Sequence, residues 1–316
     1  MKIGIIGTGA LGIAFEQILS KQHDVIMWTK FSEEKEELET HRENKKFLPG
    51  VKIQDNVKIT NELEDLKDTQ VIIVAIPFVA ITDIAYDMKN WYNGQIICST
   101  TKGIADDTFK TTTEIIQEIL NTDKICALSG PSFAIEIING HPIHLMLGTK
   151  NEEASNIVLQ LFNNSNMHLE NTEDIVGIQL AGAIKNAIAV GSGLLHGLNA
   201  ADSTKAAYLA SGVKELGVIL KALGGDEKTA TSYAGIGDLI LTCTSEKSRN
   251  FNFGKLLGLG KTAEEAFEEL GGKTVEGYKI IRALYYFIQE NKIESKLIRM
   301  LYDIVFNKAN LEYIVC

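Results

Sequence analysis

Three groups of residues in this chain have types and spacings that can do chemistry. The first is Gly7-Thr8-Gly9-Ala10-Leu11-Gly12, a GxGxxG string directly after the apolar run that begins at Lys2. Between a strand and a helix, Gly7 permits a tight turn, Gly9 lets the backbone approach a pyrophosphate, and Gly12 allows close helix–strand packing. The helix that follows would present free N–H groups from Ala10 and Leu11, and its positive dipole end, to phosphate. The string alone is weak, and a glycine-rich turn with no ligand is the plain alternative. Its place after the first strand makes dinucleotide binding the better reading.

The second group lies in residues 175–195, where only Gln179, Lys185, Asn186 and Ser192 are polar. A surface helix would carry charges along one face, so this one is expected to be buried. Lys185 is then a cation in an uncharged helix. Lysine is seldom buried without a partner, and desolvation favours its neutral form. Such a lysine can exchange a proton with a substrate oxygen, which arginine cannot. Snorkelling to solvent near a helix end is an equally open reading. The third group runs from Gly235-Ile236-Gly237-Asp238 to Ser248-Arg249-Asn250. Asp238 precedes an apolar run and should need a donor such as a lysine. Ser248, Arg249 and Asn250 combine a hydroxyl, a guanidinium and an amide, a donor set suited to phosphate; an ordinary polar loop is the other reading.

The elements that must position these groups follow from periodicity. Apolar runs at 2–7, 24–28, 71–76, 95–100, 124–129, 143–149 and 167–171 alternate with helical patterns at 11–21, 78–89, 106–121 and 152–163, and a charged helix and loop spans 32–46. That alternation predicts βαβ units and a mostly parallel sheet. Beyond residue 173 the pattern becomes helical, at 174–195, 203–223, 227–243, 263–270, 275–290 and 294–306. The expected fold is α/β: a Rossmann-like, mostly parallel sheet domain over 1–172, then an all-helical domain over 173–316. Thr101-Lys102-Gly103 and Ser129-Gly130-Pro131-Ser132 each follow a strand at the carboxyl edge, where ligands bind in such sheets. Gly130-Pro131 makes a turn and Ser132 is a candidate helix cap. Each of these segments alone reads as structural.

The dinucleotide can be narrowed. An acidic residue about 20 positions past the motif would accept from a ribose 2′-OH. Here Trp28 ends the second strand, Thr29 and Lys30 follow, and Glu33 and Glu34 come too late. Lys30 can pair with a 2′-phosphate, which favours NADP over NAD, unless it is only a solvated loop lysine.

Composition bounds the rest. The 316 residues suggest about two domains. The formal net charge of −10 argues against a nucleic-acid or anionic-membrane partner, though a small anion in a locally basic pocket fits. Cys98, Cys126, Cys243 and Cys316 form no CxxC pair. Cys98 and Cys126, in strand-like runs, read as buried free thiols of a reducing, cytoplasmic compartment. The first fifteen residues have the outline of a signal peptide, but their glycines, the lack of a cleavage site and Glu16 speak against secretion. No run reaches the roughly 18 apolar residues of a membrane span, so no membrane insertion is expected.

Taken in order, GTGALG, TKG at 101–103, SGPSFAIE at 129–136, GIQLAGAIKNAIAVGSG at 177–193, GIGDLILTCTSEKSRN at 235–250 and VEGY at 275–278 resemble the bacterial NAD(P)-dependent glycerol-3-phosphate dehydrogenases across nearly the whole chain. The resemblance implies reversible reduction of dihydroxyacetone phosphate to sn-glycerol 3-phosphate, for phospholipid synthesis, by a homodimer. It implies that Lys185 is the proton donor and acceptor, with Asp238 orienting it. Lys102, Gly130, Ser132, Asp238, Ser248, Arg249 and Asn250 match substrate-contacting positions. Lys30, Lys102, Ala134, Arg249 and Glu276 match nucleotide-contacting ones. Lys30, Lys102, Lys185 and Arg249 are expected to converge on one cleft. The chain departs from the family at Ala10 and Leu11, where a serine and an aromatic are usual, at Ser211, where arginine is usual, and in ending at Cys316 without a long polar tail. A related β-hydroxyacid dehydrogenase would lack the Ser248-Arg249-Asn250 cluster, and a non-catalytic NADP-binding sensor would not need Lys185 with Asp238.

Overall fold

The computed structural model describes residues 1–272, 274–310 and 314, so Cys316 lies outside the described residues. The chain divides into two compact units, Met1–Gly103 with Lys110–Val176, and Ile104–Phe109 with Gly177–Cys316.

In the first unit the strands are β1 (Lys2–Ile6), β2 (Asp24–Trp28), β3 (Lys58–Thr60), β4 (Val71–Val74), β5 (Ile96–Ser99), β6 (Ile125–Ser129), β7 (Ile143–Gly148) and β8 (Met167–Thr172). Among the described residues they form one sheet in the order β3-β2-β1-β4-β5-β6-β7-β8. Every neighbouring pair is parallel except β6 with β7. β3 escapes a sequence reading because three residues are too few to show a period. Both faces are covered: Val71 and Ile73 enter one core cluster, Ile72 and Val74 the other. That alternation is the two-residue period of a strand buried on both sides. The covering helices are α1 (Ala10–Leu19), α2 (Ser32–His41), α3 (Ile81–Met88), α4 (Thr112–Leu120), α5 (Ala134–Ile138) and α6 (Glu152–Phe162). Strand order reverses direction at β1, which lies between β2 and β4, so the crevice beyond their carboxyl ends is the expected ligand position.

α4 starts six residues later than its pattern suggests. A capping box between Thr111 and Glu114 fixes its first turn. The preceding Ile104–Phe109 segment belongs to the second unit, where the Phe109 ring meets Phe287 at 5.0 Å.

The second unit holds α7 (Ile175–Gly197, of which Gly177 onward belongs here), α8 (Asp202–Ala222), α9 (Asp238–Thr244), α10 (Arg249–Gly258), α11 (Ala263–Glu269), α12 (Glu276–Glu290) and α13 (Lys296–Asn307). By length and composition α7 could cross a membrane, a property a strict count of consecutive apolar residues misses. Yet 89% of its apolar window is buried inside the protein. Glycines on α7 and α10 explain the burial: a Cβ on Gly193 of α7 would overlap the Phe251 carbonyl, and one on Gly254 of α10 would overlap the Val190 carbonyl. α7 and α10 therefore touch backbone to backbone. α10 itself corrects the reading of Ser248-Arg249-Asn250 as loop, because its polar opening masks a helix that buries Phe251, Phe253 and Leu257. The single helix expected over 227–243 is three pieces, a 3₁₀ turn (Glu227–Thr231), a π turn (Tyr233–Gly237) and α9.

Candidate active site

The glycine loop is built as its spacing requires. Gly7 has φ +118°, and a Cβ there would stand 2.5 Å from the Ala75 carbonyl oxygen of the strand beside it. A Cβ on Gly12 would overlap the Gly7 carbonyl oxygen. Gly9 differs: its backbone is ordinary, φ −73° and ψ 179°, and nothing lies within 4 Å of a Cβ placed there. Gly7 and Gly12 are thus demanded by the fold, whereas the openness at Gly9 suits a pyrophosphate lying on the backbone. The N–H groups of the first turn of α1 point to the same place. Ala10 and Leu11 are half-buried against the core cluster, so their side chains are occupied by packing. These residues fit a dinucleotide.

Lys30 is exposed just past β2. Glu34, too distant along the chain to be assigned a role from spacing, is folded back by the first turn of α2. The Thr29 hydroxyl donates to its Oε2, and Asn44 Nδ2 donates to its Oε1 at 3.0 Å and to the Thr8 carbonyl at 2.9 Å. No local signal in the sequence marks this return.

At the carboxyl end of β5 and β6, Lys102 Nζ donates to the Gly130 carbonyl at 3.3 Å, and Ser132 Oγ donates weakly to the same oxygen at 3.5 Å. Lys102, Gly130 and Ser132 are therefore brought together. Ser132 does not cap the next helix, contrary to expectation. Phe133 occupies the cap position of α5 without a side-chain cap, because the chain turns one residue later, and Ala134 is the first helical residue.

In the second unit Lys185 and Asp238, 5% and 1% exposed, form an ion pair. Lys185 Nζ also donates to Thr242 Oγ1 at 2.8 Å, and that hydroxyl donates to the Asp238 carbonyl at 2.7 Å. The lysine is thus buried and doubly held, not snorkelling. The π turn delivers Asp238: a Cβ on Gly235 would overlap the Thr229 and Ala230 carbonyls, so only glycine allows this tight path. Cys243 lies on the same helix, and burial pushes its thiol up to about 12 despite the opposing charge of Lys185.

Next to Lys185 on α7, Asn186 begins a polar relay. Asn250 Nδ2 donates to Asn186 Oδ1 at 2.9 Å, Gly277 N donates to Asn250 Oδ1 at 2.9 Å, and Asn186 Nδ2 donates to Glu276 Oε2 at 3.2 Å. Asn250 and Glu276 are therefore joined, with one Asn250 N–H still able to donate elsewhere. Ser248 caps α10, its Oγ accepting from Phe251 N at 3.2 Å. Arg249, the first residue of α10, is exposed and makes no ion pair among the described residues. Asn186 and Thr242 are partners that spacing did not single out; their interior positions among apolar residues were the available signal.

Comparison with known proteins gives a consistent result. The N-terminal profile of NAD-dependent glycerol-3-phosphate dehydrogenase matches residues 2–155, and the C-terminal profile matches 174–316. The chain is 35% identical to glycerol-3-phosphate dehydrogenase [NAD(P)+] of Staphylococcus epidermidis, covering 96% of this chain and 93% of that protein. It is 36% identical to the protein of the same name from Thermoanaerobacter, covering 98% and 94%. Among solved structures, glycerol-3-phosphate dehydrogenase from Coxiella burnetii superposes with a TM-score of 0.89 at 27% identity, over 99% of this chain and 97% of that one.

Proposed function

Because this chain belongs to the NAD-dependent glycerol-3-phosphate dehydrogenase family, we propose that it reversibly reduces dihydroxyacetone phosphate to sn-glycerol 3-phosphate with NAD(P)H. The observation that carries the reading is the buried Lys185–Asp238 pair braced by Thr242.

The nucleotide, when bound, supplies the hydride. The Gly7–Gly12 loop and the start of α1 would hold its pyrophosphate, with Lys30, Lys102, Ala134, Arg249 and Glu276 as further contacts. As the carbonyl carbon gains its C–H bond, the C=O π pair moves to oxygen. Lys185 Nζ gives that oxygen a proton, completing the alcohol, and takes it back in the reverse direction. Asp238 and Thr242 fix the ammonium so that little reorganisation is needed at the moment of transfer. General acid catalysis of this kind contributes about 10² to 10⁴ in rate. Lys102, Gly130, Ser132, Ser248, Arg249 and Asn250 bind and orient the phosphate-bearing substrate. Lys30, Lys102, Lys185 and Arg249 are the cations proposed to meet these anions, which reconciles anionic ligands with a net charge of −10. We further propose a cytoplasmic homodimer, with no nucleic-acid partner or membrane insertion, whose product enters glycerophospholipid synthesis.

The test is NADH and NADPH oxidation by the purified protein with dihydroxyacetone phosphate. Turnover with at least one nucleotide is expected, and Lys185→Ala should abolish it while leaving nucleotide affinity nearly intact. No turnover with either nucleotide, or substantial activity in Lys185→Ala, would overturn the reading.

A further inference from the structure

We propose that Glu34 reads the 2′ position of the adenosine ribose and makes NADH the preferred nucleotide, an inference that rests on the nucleotide reading above. An acid in this role ordinarily stands at the end of the second strand. In this chain Thr29 occupies that place, and its hydroxyl holds the Glu34 carboxylate. Asn44 grips the other oxygen of Glu34 and, through the same Nδ2, the Thr8 carbonyl of the glycine loop. Thr29 and Asn44 are 3% and 6% exposed, so both clamps are buried. The carboxylate is thereby fixed between the carboxyl end of β2 and the glycine loop, delivered from α2 instead of from the strand.

Two donors leave lone pairs on both oxygens of that carboxylate to accept from a ribose hydroxyl. A 2′-phosphate at the same place would face a fixed negative charge, and turning Glu34 away would break both hydrogen bonds. Lys30 is exposed, so water and salt screen its attraction for a 2′-phosphate, whereas the half-buried carboxylate is screened less. The clamped charge outweighs the free one.

Binding of NADH and NADPH, followed by nucleotide fluorescence, tests this in wild type, Glu34→Gln and Lys30→Ala. Wild type should bind NADH at least tenfold more tightly, a difference of about 1.4 kcal/mol. Glu34→Gln should shrink the NADH to NADPH affinity ratio at least tenfold, and Lys30→Ala should weaken NADPH alone. NADH lacking its 2′-hydroxyl should bind unmutated protein about tenfold more weakly, which requires no variant to fold. Wild-type preference for NADPH, an unmoved ratio in Glu34→Gln, or equal binding of the 2′-deoxy nucleotide would overturn the inference and leave the dehydrogenase reading standing. Failure to bind either nucleotide would overturn both.

Discussion

Gly9→Ala separates what the fold requires from what a ligand requires. The backbone at Gly9, φ −73° and ψ 179°, is open to alanine, and a Cβ there meets nothing within 4 Å. Replacing glycine at a compatible position gains about 0.4–1 kcal/mol by restricting the unfolded chain. Gly9 is also the N-cap of α1, where alanine is poorer than glycine by roughly 0.5–1 kcal/mol. These terms nearly cancel, so stability should stay within about 0.5 kcal/mol of wild type, a melting shift of about 2 °C or less. The bound pyrophosphate would meet the new methyl. Overpacking of that kind costs about 1–3 kcal/mol, so NAD(P)H should bind about 5- to 150-fold more weakly. Gly12→Ala is the control, since its Cβ would overlap a backbone oxygen that cannot move alone; it should lose stability and binding together. The assay is thermal unfolding without ligand beside a nucleotide titration. Wild-type affinity in Gly9→Ala would refute the claim that the nucleotide lies on this loop, and a loss of several kcal/mol would refute the account of Gly9 as free of the fold.

Other outcomes follow from the second unit and the core. Asp238→Asn should cost about 3–5 kcal/mol of stability, or drive the proton off Lys185, because it strands a buried cation; replacing both partners with Met and Leu should restore most of the stability and none of the activity, as urea unfolding and kcat would show. Arg249→Ala, removing an exposed guanidinium, should raise KM for dihydroxyacetone phosphate about 10- to 150-fold, the worth of one charge-assisted contact of about 1.5–3 kcal/mol; an unchanged KM would count against its substrate role. With the Cys243 thiol pushed up to about 12, alkylation mapped by mass spectrometry at pH 8 should spare Cys243 in the native protein and reach it after denaturation. Burial raises Glu16 above its ordinary value of 4.5, so the folded state holds its proton longer than the unfolded one. The stability of wild type relative to Glu16→Gln should therefore fall as pH rises from 4.5 through the folded-state value, and a rise in that window would refute the assignment.

Much of the molecule was legible along the chain. Strand and helix periods are local, so β1, β2 and β4 to β8 could be placed within a few residues. The glycine string carried its own turn, and the uncharged run around Lys185 announced a buried helix because no exposed face was affordable for it. α10 was not legible: its polar first turn gave the signal of a loop, and only its packing against the glycines of α7 shows why it is a helix. Residues 106–109 were likewise read into α4, although Phe287, the partner of Phe109, lies far along the chain.

The sequence by itself determined which groups needed partners. A lone lysine among apolar residues and an aspartate before an apolar run each carry a charge that burial penalises, whatever the topology. Which atoms meet was decided by tertiary structure. Thr242 reaches Lys185 from 57 residues away, Asn250 reaches Asn186 from 64, and Glu34 returns to Thr29 and Asn44 through the turn of α2. Side-chain hydrogen bonds act over about 3 Å, so such pairings depend on how whole elements pack, and no local period encodes that.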